Sequence, residues 1–238
     1  MEKPSKQIKK DLASFYIGDE AKFYNHIRSN SPRKNMVLDI QKSIFSKFLK
    51  SCPKGKLLDV ACGTGRFFHL YGDREIYGVD ISQDMLNNAS KLNLAKKLVL
   101  SDAEKLPFED NYFDVTICSQ FIMHTPYYVD VIKEMLRVTK KGGHLILDFP
   151  NNFSISAILT KGRMKFKKQR KFNLFSIFYL RKLFKSLNLE VIEYQGTLVF
   201  SPYFLPKSLV SVSKLINSFL RKYLKLFSYT YYFHLIKK

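Results

Sequence analysis

The chain has 238 residues, of which 46% are hydrophobic and 15% aromatic; this suits one large domain, or one domain with an appendage, and excludes wholesale disorder. Its formal net charge of +20 is uneven: residues 1–50 hold 11 basic and 5 acidic side chains, residues 51–150 hold 12 and 13, and residues 151–238 hold 17 and 2. No uncharged apolar run is long enough to span a bilayer, the charged N-terminal stretch lacks the apolar core of a secretory signal, and three cysteines without a C-x-x-C pair argue against a disulfide framework. The expected setting is therefore a reducing cytoplasm, and no metal site is read from the cysteines and five scattered histidines.

Residues 1–50 are expected to form a helical N-terminal cap. "NMVLDIQKSIFSKFLKS" puts Val37, Ile40, Ile44, Phe45, Phe48 and Leu49 on one helical face, and "CPKG" ends the helix. From residue 56 the pattern alternates. "KLLDV" is a short apolar strand, and a helix is expected to start between Gly65 and Tyr71. "EIYGVD" is a second strand, followed by a helix from 82 to 93 with Ser82 as its N-cap. "KLVLSD" and "YFDVTICS" are strands three and four, a helix follows near 127–139, "KKGG" is a turn and "HLILDFP" is strand five. Strands alternating with helices predict a parallel sheet covered on both faces. In the basic last third, "LFSIFYLRKLFKSLN" is an amphipathic helix, "LEVIEYQGTLVF" a strand, "KSLVSVSKLINSFLRKYLKLF" a longer basic helix and "SYTYYFHLI" a final strand. The domain plan is thus a cap over 1–50, a core over 51–150 and a basic part over 151–238 that completes the sheet.

The turn in "LLDVACGTGRF" follows the first strand, where α/β chains bring backbone close to a ligand. A dinucleotide fingerprint needs a third glycine where Phe68 stands, and a P-loop needs a Lys-Ser/Thr pair that is absent. Asp59 before the turn repels phosphate and suits an ammonium. Asp80 closes the second strand 21 residues later, where a carboxylate can take both ribose hydroxyls, and Asp102 closes the third, within reach of an adenine amino group. Three carboxylates at one edge of the sheet fit a ligand with ammonium, ribose and adenine and without phosphate. S-adenosylmethionine has these parts.

In order, "LLDVACGTGRF", "YGVDIS", "SDAEKLPFEDNYFDVTICSQFIMH" and "EMLRVTKKGGHLILD" resemble the motifs of class I S-adenosylmethionine-dependent methyltransferases of the type 11 group, from about residue 55 to 150. The resemblance implies a Rossmann-like seven-stranded sheet with an antiparallel last strand. It further implies that Asp59 orients the methionine ammonium through water, that Ala61, Gly63 and Gly65 admit the ligand to the backbone, and that Asp80 binds the ribose. Ile81 and Met85 would flank the adenine, Asp102 and the Ala103 N–H would meet its edge, and Ser119 and Gln120 would contact the methionine end. Ala61 departs from the family, which usually has glycine there.

Each position has a plainer alternative. The glycines and Asp59 can belong to an ordinary strand–turn–helix junction, and Asp80 can be a carboxylate at a helix N-terminus. His124, just past the fourth strand, is either a general base or a residue packing under the cofactor. Tyr24, Arg28 and Arg33 either cover the site or belong to a surface helix, and Cys62 and Cys118 fill space. Because the sulfonium is already activated, the protein's task is proximity, alignment and exclusion of water. The acceptor is expected to be a small or lipid-linked molecule. The run "KGRMKFKKQRKF" and the basic helix after it suit an anionic membrane surface contacted through 161–227. RNA, held by phosphate contacts and stacking, ranks lower, as does a protein that binds the donor without turnover.

Overall fold

The computed structural model describes residues 16–155, 173–199 and 210–238. Two short helices, α1 (Asp19–Lys22) and α2 (Tyr24–Ser29), lead into the long α3 (Pro32–Lys50). Ser31 caps α3, accepting from the Lys34 N–H at 3.4 Å with Pro32 in the first turn, so the helix starts three residues before the apolar periodicity indicates. Ile40, Ile44, Phe45, Phe48 and Leu49 are buried as expected, and each such side chain contributes about 1.5–3 kcal/mol on burial.

The sheet contains β1 (Lys56–Val60), β2 (Glu75–Asp80), β3 (Ala95–Leu100), β4 (Phe113–Cys118), β5 (Thr139–Pro150), β6 (Leu189–Gly196) and β7 (Thr230–Lys237). Their order is β3-β2-β1-β4-β5-β7-β6, all seven strands in one sheet, with β7 antiparallel to both neighbours. Helices α4 (Gln83–Ser90), α5 (Tyr128–Val138) and α6 (Ile177–Ser186) cover it together with α3. On one face Leu58, Val60 and Leu147 pack with Val131 and Met135 of α5 and Leu180 and Phe184 of α6. On the other, Leu57, Val115, Ile117 and Ile146 pack with α3 and with Leu86 and Ala89 of α4. The mixed seven-stranded sheet with helices on both faces and helices at its N-terminal side is the architecture the sequence predicts.

Local differences have local causes. After the glycine turn the chain makes one 3-10 turn, Phe68–Leu70, rather than a helix. Phe67, Phe68 and Tyr71 are all drawn into the core, and Gly72 at φ 63 ends the turn. The "KKGG" segment is not a separate turn but an irregular start to β5, with Gly142 at φ 70 and a register shift between Phe113 and Val115 on the adjacent β4. β3 stops at Leu100, so Asp102 lies in the following loop. The final helix, α7 (Val210–Tyr223), ends four residues before its apolar pattern does and gives way to a 3-10 turn, Lys225–Phe227. The basic run at 161–172 lies outside the described residues.

Candidate cofactor site at the carboxyl edge of the sheet

The carboxyl ends of β1, β2 and β4, with the loop after β3, open into two cavities that share Tyr24, Ala61, Gly63, Ser119 and Gln120 as lining. The larger encloses about 850 Å³ of space, the open solvent at its mouth included. Asp80, Ile81, Met85, Asp102, Ala103 and His124 line it; Asp59 lines the smaller. Gly65 lines neither. Its φ is 67, and an added Cβ would meet the Phe68 ring at 2.7 Å, so its role is to let the turn close on its own aromatic neighbour.

Asp80 ties together two turns that border the cavity. Its Oδ2 accepts from the Gly63 N–H at 2.8 Å and its Oδ1 from the Ser82 N–H at 2.9 Å. Burial nevertheless raises its pKa above the ordinary carboxylate value, the backbone donors opposing the shift. Ser82 caps α4 as the sequence predicts, accepting from the Met85 N–H at 3.3 Å. Asp102 accepts from the Glu104 N–H at 3.0 Å, which fixes its loop. Ala61 adopts φ 56, a left-handed conformation normally given to glycine, and Gly63 adopts the same φ with open space where a Cβ would stand.

Two buried carboxyls lie deeper. Asp59, 4% exposed, accepts from the Tyr71 hydroxyl at 2.6 Å, and burial pushes its pKa up to about 7 against that bond. Asp148, near the end of β5, accepts from the Gln120 N–H at 2.5 Å and is likewise raised to about 7 by burial. Gln120 sits at φ 59, and its side chain accepts from Arg66 at 2.9 Å. Asp148 therefore pins a strained residue on which the cavity wall depends. His124 ends the 3-10 turn Ile122–His124 on the same wall.

The N-terminal segment covers the cavity. Ser82 donates to the Tyr16 carbonyl at 2.6 Å, Gly18 N–H donates to Asp84 at 2.8 Å, and Thr64 donates to Asn25 at 2.7 Å. Tyr16 and Tyr24 pack edge to face 5.8 Å apart, and Arg28 lies 5.1 Å from the Tyr24 ring. Arg33 is in the first turn of α3. Sequence reasoning missed Tyr16, Arg66, Tyr71, Phe121, Tyr127 and Asp148. Arg66, Phe121 and Asp148 lie inside the recognised motifs, and Tyr71 lies four residues past one.

Residues 58–147 match the family model described as a methyltransferase domain. This segment is similar to a methyltransferase domain. Among curated relatives, a demethylmenaquinone methyltransferase from Bacillus mycoides is 38% identical over 104 residues, 40% of this chain and 44% of that one. A ubiquinone/menaquinone biosynthesis C-methyltransferase from Burkholderia mallei is 37% identical over 107 residues, 41% and 44% of the two chains. The chain thus spans under half the length of these relatives. The methyltransferase fold extends further than the sequence match. A possible histamine N-methyltransferase from Thermotoga maritima, described as S-adenosylmethionine-dependent, superposes with a TM-score of 0.63 at 21% identity over 92% of this chain and 98% of that one. The magnesium protoporphyrin IX methyltransferase of Synechocystis, bound to S-adenosylhomocysteine, does so with a TM-score of 0.69 at 14% identity over 97% and 100%. The fold is the Rossmann-like one that these methyltransferases share.

Proposed function

We propose that the chain is a cytoplasmic S-adenosylmethionine-dependent methyltransferase acting on a small or lipid-linked acceptor. The observation that carries the proposal is Asp80, which holds Gly63 and Ser82 by their N–H groups while bordering the larger cavity. Each carboxylate oxygen keeps a lone pair for a ribose hydroxyl. The adenine then lies between Ile81, Met85 and Ala103, with Asp102 at its edge. The methionine end extends past Ala61 and Gly63 toward the smaller cavity, where Asp59 faces its ammonium and Ser119 and Gln120 close the side. A neutral or anionic floor suits a sulfonium, and the absence of a phosphate-binding turn explains why three carboxylates are tolerated.

The donor supplies an activated methyl group; the chain aligns the acceptor with it and keeps water out. Tyr16, Tyr24, Phe121 and Tyr127 give the larger cavity an aromatic wall suited to a flat or apolar acceptor. One relative is named for demethylmenaquinone methylation and another for ubiquinone/menaquinone biosynthesis, which agrees with that wall. Where the acceptor must lose a proton, His124 is the imidazole on the cavity wall able to take it. Calorimetry with S-adenosylhomocysteine tests the cofactor assignment, and a folded chain giving no binding heat would overturn it. Labelled donor incubated with lysate fractions then identifies the acceptor by the product that gains label.

A membrane-surface acceptor is favoured by α7. Val212, Leu215, Ile216, Phe219 and Tyr223 are exposed along it, with Leu215 at 73% and Phe219 at 65%. Lys214 and Lys225 are exposed beside them, and the last third of the chain carries 17 basic and 2 acidic residues. Such a face partitions into an anionic interface. No helix among the described residues is long and apolar enough to cross a membrane. Flotation with anionic against neutral vesicles tests the contact; equal recovery with both would remove it.

A further inference from the structure

Three side chains that carry no motif meet at the edge of the sheet opposite the cofactor cavity. Cys52 follows the C-cap of α3, His144 lies on β5 and His234 on β7. Along β5, His144, Ile146 and Asp148 share one face, so His144 stands about 13 Å from the carboxyl that holds Gln120. The Cys52 sulfur is 3.4 Å from His234 Nε2, and His144 Nδ1 is 2.6 Å from the same nitrogen. One ligand atom from each residue lies within 4.8 Å of the other two. Cys52 is 6% exposed, His234 1%, and His144 is half-buried, so an ion could enter along one side and would be shielded on the others.

We propose that Cys52, His144 and His234 form a binding site for a single closed-shell thiophilic cation, Zn²⁺ or Cu⁺. One thiolate and two imidazoles are the donor set that such ions select over hard cations. Bond lengths of about 2.0–2.1 Å to nitrogen and 2.3 Å to sulfur place tetrahedral ligands about 3.3–3.6 Å apart. The sulfur–nitrogen pair already has that spacing, and the two histidine rings need to separate by less than about 1 Å. On binding, the Cys52 thiol gives its proton to solvent and the sulfur lone pair to the ion. Burial pushes the Cys52 thiol up to about 12, and Arg74, donating to the Leu49 and Cys52 carbonyls at 2.7 and 2.9 Å, opposes that shift with its positive charge. Glu193, cross-strand from His234 on β6, adds a carboxylate charge near that ring and is itself held by Lys47 and Gln195.

The consequence is mechanical rather than catalytic. The ligands come from segments about 90 residues apart, as the separation of His144 and His234 gives. An ion there ties the end of α3, which carries the N-terminal cover of the cofactor cavity, to the antiparallel β5–β7 pair of the sheet. An ion that binds only the folded chain raises its stability in proportion to its occupancy.

The test uses the untagged full chain, stripped with chelator and titrated separately with Zn²⁺, with Cu⁺ under reducing conditions and with Co²⁺ as an optical probe. The expected result is one equivalent bound per chain, a thiolate-to-metal absorption band with Co²⁺ and a higher Tm with the preferred ion. Binding of either Zn²⁺ or Cu⁺ supports the site and identifies its ion. Cys52→Ser should abolish the band, and His144→Asn, at a half-buried position, should weaken binding by about 100-fold. If Cys52→Ser does not fold, the His144→Asn titration decides alone. No stoichiometric binding by the folded wild-type chain, or variants that bind as tightly as wild type, would overturn the proposal. None of these readouts depends on methyl transfer.

Discussion

Replacing Asp80 by alanine should separate binding from folding. In the folded chain its carboxylate already accepts two backbone N–H groups, yet burial still raises its pKa, so the ionised form is disfavoured before any ligand arrives. The desolvation cost and the two hydrogen bonds oppose each other, and the net loss of stability should stay near 1–2 kcal/mol. The ligand changes the balance. Two ribose hydroxyls donating to an ionised acceptor contribute about 1.5–3 kcal/mol each, so Asp80→Ala should weaken S-adenosylhomocysteine binding by about 100-fold or more, at about 1.4 kcal/mol per tenfold. The assay is calorimetry on wild type and variant, with circular dichroism to confirm folding, repeated with an analogue lacking both ribose hydroxyls. For that analogue the wild-type advantage should shrink to the small part owed to the loosened Gly63 turn. A folded Asp80→Ala chain binding S-adenosylhomocysteine within threefold of wild type would refute the ribose assignment.

Asp59 and Asp148 are both raised to about 7 against about 4 for a free carboxyl. Between those values the folded chain keeps protons the unfolded chain has lost, so the stability they contribute is complete below about pH 4 and disappears as pH rises through about 7. Urea titrations of the ligand-free protein should therefore show stability falling from pH 5.5 to pH 8, with a shallower fall in Asp59→Asn; an unchanged slope would count against the shift. The ligand's ammonium favours the Asp59 carboxylate, so affinity should rise through pH 7 with proton release, seen by calorimetry in buffers of different ionisation enthalpy. Tyr71→Phe removes the hydroxyl that donates to Asp59 at 2.6 Å and should destabilise the chain by about 1–3 kcal/mol in the same urea assay. Ala61→Gly relieves a left-handed alanine at φ 56 and should stabilise by about 0.5 kcal/mol with cofactor affinity retained; a loss of 1 kcal/mol or more would show that the strain carries no cost there.

The amino-acid sequence by itself determined the alternating strand–helix order and set Asp59 and Asp80 at the carboxyl ends of their strands, with Asp102 two residues past the third. Those features are local: hydrophobic period, a small-residue turn and a carboxylate at a strand's end are all written within a few residues, and a parallel sheet then puts every such end on one edge. Local pattern also misled where burial overrode it, as in the glycine turn, where Phe67, Phe68 and Tyr71 enter the core and only one 3-10 turn forms. Tertiary structure alone decided which side chains back the site and what covers it. Asp148 reaches Gln120 across 28 residues, Tyr16 reaches Ser82 across 66, and Cys52 reaches His234 across 182. Contacts at such separations depend on strand order and helix packing, and the β5–β7–β6 arrangement that creates the last of them leaves no spacing in the chain to read.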